Sequence, residues 1–176
     1  MSSENNEKIL ITCCISGGVF RNFAKYDAFQ RRKAWRGSLI LSMSLFLTSL
    51  IFFIGFRDGN FAKAFGRFFF ISAVVIPVIW VTSLNTSITK QIKERDIRET
   101  IAQYFVELSD NGVVMSKGKD KVNFTWNEIC RVVFNKDCAY MFVNEDRALL
   151  LPYGSDFSKA EELILSNLPE EKIEHI

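Results

Sequence analysis

Two stretches of this chain contain no charged residue: residues 38–56, "SLILSMSLFLTSLIFFIGF", and residues 68–84, "FFFISAVVIPVIWVTSL". As helices, both approach the ~30 Å hydrocarbon thickness of a bilayer. A core helix of a soluble protein normally keeps a polar face, and neither stretch has one. The pattern predicts a transmembrane hairpin over 38–84, with spans at 38–56 and 66–84 joined by the polar turn "RDGNFAK" at 57–63. Arg67 is placed to snorkel at one end of the second span, and Trp80 lies toward the other interface. Pro77 predicts a kink. Ser38, Ser42 and Ser49, with Ser44 and Thr48, are small residues at helical spacing. They allow close approach between the two helices, or between copies. Neither span carries a buried ionisable side chain, which argues against a transporter or proton channel.

The flanks follow other patterns. Residues 9–15, "ILITCCI", form a short β-branched run that stops at "SGG" and reads as a strand within the N-terminal segment 1–16. Residues 17–37 read as a basic amphipathic helix: Val19, Phe20, Phe23, Tyr26 and Phe29 recur at helical steps, and Arg31, Arg32, Lys33 and Arg36 close it. After the second span, residues 85–101 predict a helical stalk, with Ile88, Ile92, Ile97 and Ile101 along one edge and Glu94 paired to Arg98.

From residue 102 the period changes to two. Six short strands follow: "QYFVEL", "VVMSK", "KVNFTW", "ICRVVF", "CAYMFV" and "RALLLPY". In the third, Val122, Phe124 and Trp126 face one way and Lys121, Asn123 and Thr125 the other. "SDFSKAEELILSNL" then reads as an amphipathic helix with Phe157, Ala160, Ile164 and Leu168 on its apolar stripe, a Ser158–Glu161 capping box, and Pro169 as its stop. A meander of hairpins closed by one helix is the layout of a pleckstrin-homology-like (PH-like) domain, expected here over 102–176. That layout has seven strands. The seventh is expected to be residues 9–15, returned to the same side by the hairpin. The fold class expected is an α+β membrane protein: a two-helix transmembrane hairpin plus a PH-like antiparallel sheet domain capped by a C-terminal helix.

Charge sharpens this division. The net charge is only +2, but residues 1–98 hold 14 Lys and Arg against 6 Asp and Glu, and residues 99–176 hold 8 against 14. The membrane half is drawn to anionic headgroups, and the acidic half is repelled by them and by nucleic acid. Ten cations flank the outer ends of the spans, from Arg21 to Arg36 and from Lys90 to Arg98. Only Arg57, Lys63 and Arg67 lie near the connecting turn, so both termini are expected in the cytoplasm. The opening residues, "MSSENNEK", lack the basic and apolar pattern of a secretory signal. Cys13, Cys14, Cys130 and Cys138 have no zinc-site spacing; they read as reduced thiols, with Cys130 and Cys138 able to face each other across a hairpin.

The order of parts resembles the YcxB-like family of bacterial membrane proteins. The resemblance rests also on "DNGVVMSKGKDKVNFTWNEICRVVFNKDCAYMFVNEDRALLLPYGSDF": Gly112 after its turn, Trp126 followed by Ile129, an aspartate turn before Tyr140 and Phe142, the Leu151–Pro152 step, and Phe157. Where the family often has a basic residue after that proline, this chain has Tyr153 and Gly154. The resemblance covers most of the chain and implies a bacterial cytoplasmic membrane location and the PH-like fold. It implies no established activity.

The expected function is that of a membrane-anchored interaction module, with no catalysis and no cofactor or metal. Its partners would be the lipid bilayer and another membrane or membrane-associated protein; a homo-oligomer is allowed and nucleic acid is not expected. The single histidine, His175, sits in a tail expected to fray, and "GKDK" lacks the spacing of a phosphate loop. Asp137, Glu145, Asp146 and Asp156 fall in turns, where carboxylates meet the backbone or solvent. Tyr140, Tyr153 and Phe157 are candidate partner contacts. The alternative is an anionic-lipid sensor, with Arg31, Arg32, Lys33, Arg36, Lys90, Lys93, Lys117, Lys119 and Lys121 as contacts. An immunity or envelope-stress role is a further alternative.

Overall fold

The computed structural model describes residues 8–55, 59–94, 97, 104–144, 147–154 and 157–176. The chain is α+β and divides into two compact units: residues 1–20 together with 96–176, and residues 21–95.

The first unit is built on two sheets. Strands β1 (Ile9–Cys13), β2 (Tyr104–Ser109), β3 (Gly112–Lys117) and β4 (Asp120–Phe124) form one antiparallel sheet in that order. The segment at 9–15 therefore lies beside strand 104–109: Ile9 is opposite Leu108, and Cys13 opposite Tyr104. Alternation explains the choice of face. Ile9, Ile11 and Cys13 are buried with Val106, Leu108 and Val113, while Leu10 and Thr12 point outward. The β2–β3 turn depends on Gly112, whose φ of 141° suits glycine; a Cβ there would meet the Phe124 carbonyl oxygen at 2.3 Å. Trp126 does not extend β4. It opens a short 3₁₀ turn, Trp126–Glu128, in which Glu128 accepts bonds from the Thr125 backbone and hydroxyl. The indole N–H of Trp126 reaches back to the Ser109 and Asp110 carbonyls, 3.1 Å from each.

The second sheet runs β7 (Ala148–Pro152), β6 (Cys138–Phe142), β5 (Arg131–Phe134), β8 (Ile173–His175). Its pairs are antiparallel except β5–β8, which is parallel. Helix α4 (Phe157–Asn167) buries Phe157, Ala160 and Ile164 in the core shared by the two sheets. Its first residue is Phe157, so Ser158 is already helical and is not its cap; the residue that would be the cap lies outside the described residues. The tail expected to fray is β8: Ile176 N donates to the Phe134 carbonyl, and the His175 ring stacks on Phe134 at 5.0 Å.

Helix α1 (Gly17–Tyr26) is capped by Ser16, whose Oγ accepts from Val19 N at 3.0 Å. The single helix expected over 17–37 is instead interrupted. A π-helical turn, Asp27–Arg31, follows α1, and Lys33 takes a left-handed φ of 48° before α2 begins at Trp35. The turn is closed by the backbone, with Arg32 N donating to the Asp27 carbonyl at 2.8 Å and Ala34 N to that of Ala28 at 2.9 Å, while the Asp27 carboxylate pairs with Arg31 and Arg32. Trp35 Nε1 then ties back to the Phe29 carbonyl at 3.0 Å.

Helix α2 (Trp35–Gly55) and helix α3 (Asn60–Glu94) are both long and apolar enough to cross a membrane. They pack antiparallel. Ser42 donates to the Ala73 carbonyl and Ser49 to that of Gly66, the second at 2.8 Å. Phe52 stacks on Phe65 and Phe69. A Cβ on Gly66 would press the Phe53 ring at 3.2 Å, so this glycine lets the helices close up. Thr48 bonds within its own helix to Ser44, and the Ser38 hydroxyl is buried without a hydrogen-bond partner. Helix α3 runs on through Pro77 and through the first part of the expected stalk as far as Glu94. The Arg98 and Ile101 positions of that stalk lie outside the described residues.

Candidate functional site

Burial inside the first unit sorts the candidate contacts. Tyr140 is only 1% exposed, and its hydroxyl accepts from Asn135 Nδ2 at 2.7 Å. It is a core residue and is withdrawn as a surface contact: in β6 every position is buried, so its alternation has no outward face. Phe157 is 7% exposed and closes the core against Phe134. Tyr153 is 40% exposed, and its ring rests on Phe157 with centroids 4.3 Å apart.

Tyr153 and Phe157 form one wall of a cleft of about 320 Å³. The end of β7 (Pro152 through Gly154) supplies this wall, and the outward residues Leu10, Thr12 and Cys14 supply the other. Leu10 is 58% exposed, a large apolar side chain on an edge strand. Both β1 and β7 are outermost strands of their sheets, so the cleft lies where two sheet edges approach.

The two edges differ in what they offer. At β7 the Tyr104 hydroxyl donates to the Leu150 carbonyl at 3.0 Å and receives Leu150 N at 2.7 Å. The outward backbone groups of Leu150 are thereby used, and Pro152 has no N–H to offer. On β5 the outer edge is taken by β8. Strand β1, like β4 and β8, is outermost in its sheet and carries no such cover among the described residues; of these edges it is the one that borders the cleft, which makes it a route for an extended segment.

The electrostatics of this end are those of a low-dielectric corner. Burial, reinforced by the neighbouring Cys14, pushes the Cys13 thiol from 9.0 up to about 12. Burial also pushes the Cys138 thiol upward, with the Cys13 charge as the next cause, and raises the Tyr104 hydroxyl. The Tyr153 hydroxyl rises to about 12 through partial burial and the nearby Cys138 and Glu161. All of these groups are protonated at neutral pH. Cys13, Cys14, Cys130 and Cys138 are free thiols. Cys130 and Cys138 do not face each other: Cys138 lies opposite Pro152, whereas Cys130 bonds to the Phe142 carbonyl at the other end of the β5–β6 pair.

The lysine hairpin is split. Lys117 lies opposite Asp120 and Lys121 opposite Ser116, across the two-residue turn Gly118–Lys119. Lys117 therefore shares a face with Val113 and Met115, and Lys121 shares the other with Val114 and Asn123. The pair does not converge on one headgroup, although Lys117, Lys119 and Lys121 are all exposed. Among the basic residues of the helical unit, Arg31 and Arg32 share Asp27, and Lys90 lies 3.6 Å from Glu94. Lys33, Arg36 and Lys93 are exposed. Among the described residues no group of three His, Cys, Asp or Glu side chains is placed to hold a metal ion.

Comparison with protein-family models, with curated proteins and with solved structures found no match to this chain.

Proposed function

We propose that this chain is a membrane-anchored interaction module that presents a PH-like domain at the cytoplasmic face of a bacterial membrane and docks a segment of another membrane protein without catalysis. The observation that carries the reading is the pairing of β1 with β2. These strands flank the two apolar helices in sequence, yet they lie in one sheet. Chain segments in one sheet are on one side of a bilayer, so helices between them cross it an even number of times. The exposed apolar side chains of α2 and α3 call for lipid around them. The excess of flanking cations on the outer ends favours the cytoplasmic side.

The PH-like assignment is supported by two stacked meanders closed by α4, with β1 as the seventh strand and β8 as an addition. The YcxB-like resemblance belongs to the same proposal. Of the residues that carry it, Trp126, Ile129, Tyr140, Phe142, Leu151 and Phe157 are buried, Gly112 closes a turn, and Pro152 ends β7. The docking surface is the cleft between Leu10 and Tyr153, where an extended partner segment adds to the β1 edge and sets an apolar side chain against Tyr153.

Gentle detergent extraction of the full chain followed by native mass spectrometry tests this. A stoichiometric partner protein, lost from the Leu10→Arg and Tyr153→Arg variants, is the expected result. Equal capture by both variants sinks the cleft. The second reading, a sensor of anionic lipid, is favoured by exposed Lys33 and Arg36 beside Trp35 at the start of α2. A chain that carries a defined anionic lipid and no protein would favour it.

A further inference from the structure

We propose that the β5 edge is an exchange slot, which accepts the Lys172–His175 strand of a second copy of this chain in place of its own. The resident strand shows what the slot recognises. Lys172 Nζ donates to the Ile129 carbonyl at 2.7 Å. Ile173 packs against the core, Glu174 pairs with Arg131 at 3.2 Å, and the His175 ring lies flat on Phe134. Successive side chains are each read by a different group of the slot, in the manner of a bound peptide.

The attachment is slight. Only three residues pair, and they pair in parallel, with Val132 opposite Ile173 and Phe134 opposite His175. The Arg131–Glu174 ion pair is half-exposed, with side chains 48% and 43% accessible. Pro169 and the 3₁₀ turn Glu170–Lys172 separate β8 from α4, and Pro169, Glu170 and Glu171 are exposed. A segment that detaches at this hinge gives up the Ile173 contact with the core, which the same strand of a second copy restores.

A second copy fits the vacated edge by construction, because the incoming strand makes contacts identical to those lost. Exchange of identical elements costs only the association itself. On the membrane reading proposed above, copies held in one bilayer meet at high effective concentration, which lowers that cost. The inference is independent of the cleft beside Tyr153 and of what docks there.

Charge reversal tests it on the full chain in detergent, with two tags of different mass. Arg131→Glu alone sets two carboxylates together within one copy, and Glu174→Arg alone sets two guanidinium groups together. In an exchanged pair of these two variants, both junctions regain opposite charges. Each variant alone is expected to be largely monomeric. The mixture, incubated warm and read by native mass spectrometry, is expected to give heterodimer at several times the dimer level of either variant alone. The double variant R131E/E174R restores the pair within one copy, so it should match the wild type in melting temperature and in dimer level; this controls for folding. Dimer levels equal in the mixture and in the separate variants would overturn the proposal, because the contact would then lie elsewhere. Monomer throughout would overturn it as well.

Discussion

Gly112 and Trp126 act on one small corner of the first sheet from opposite directions. The glycine clears room for the Phe124 carbonyl, and the indole ties the following 3₁₀ turn to the carbonyls of the β2–β3 turn. Gly112→Ala is expected to destabilise the domain by at least about 2 kcal/mol, from positive φ together with a steric clash, measured by thermal or urea unfolding in detergent. Trp126→Phe should cost about 1–2 kcal/mol, as the buried Ser109 carbonyl loses its donor. The thiols give a prediction in pH. The Cys13 thiol rises from 9.0 to about 12 in the folded chain, through burial first. Its folded value exceeds its unfolded one, so its contribution is fully present below pH 9 and is lost as pH climbs toward 12. Melting temperature should fall across pH 9–11, by up to about 1.4 kcal/mol of stability per pH unit from this thiol, and Cys13→Ala should flatten the slope. At neutral pH a maleimide should label exposed Cys130 well before buried Cys13 and Cys138.

At the scale of elements, the apolar runs and the alternating strands were legible because each repeats its period over several residues. "ILITCCI" read as a strand on composition, and its burial alternates from Ile9 to Cys13. Ile11→Ala is expected to cost about 2–4 kcal/mol, as any core strand position would, and to open the β2 edge to protease. A β1 that only brushes the sheet would leave unfolding unchanged. Other elements gave no periodic signal. Strand β8 has three residues, too few to show a pattern, and it is defined by partners distant in sequence. Lys117, Lys119 and Lys121 look like one face when counted by twos. The two-residue turn between the strands shifts the parity and sends Lys117 and Lys121 to opposite faces. The break at Lys33 is a backbone feature, a π-turn followed by a left-handed residue, which hydrophobic spacing does not encode. For the candidate site, Tyr153 was legible as an aromatic beside a turn. Tyr140 looked equivalent because the burial of a whole strand depends on what lies on both of its faces.

For the whole molecule, the proposed sidedness, which rests on the β1–β2 pair together with the flanking cations, predicts a labelling pattern. In intact cells, a membrane-impermeant maleimide should reach Gly59→Cys, in the link between α2 and α3, and should reach Cys130 only after the cells are opened. Equal labelling of both in intact cells would remove the cytoplasmic assignment.

The same pair of strands sets the order of events during synthesis. Strand β1 leaves the ribosome first, and its partner β2 emerges only after α2 and α3 have been made. Until then Ile9 and Ile11 have nothing to pack against, and the first sheet lacks an edge. Contacts this distant in sequence close late and slowly. On the membrane reading proposed above, a chain with one of the two helices inserted would hold β1 and β2 on opposite sides of the bilayer, and the sheet could not close. Closure of the sheet would then tell an even number of crossings from an odd one.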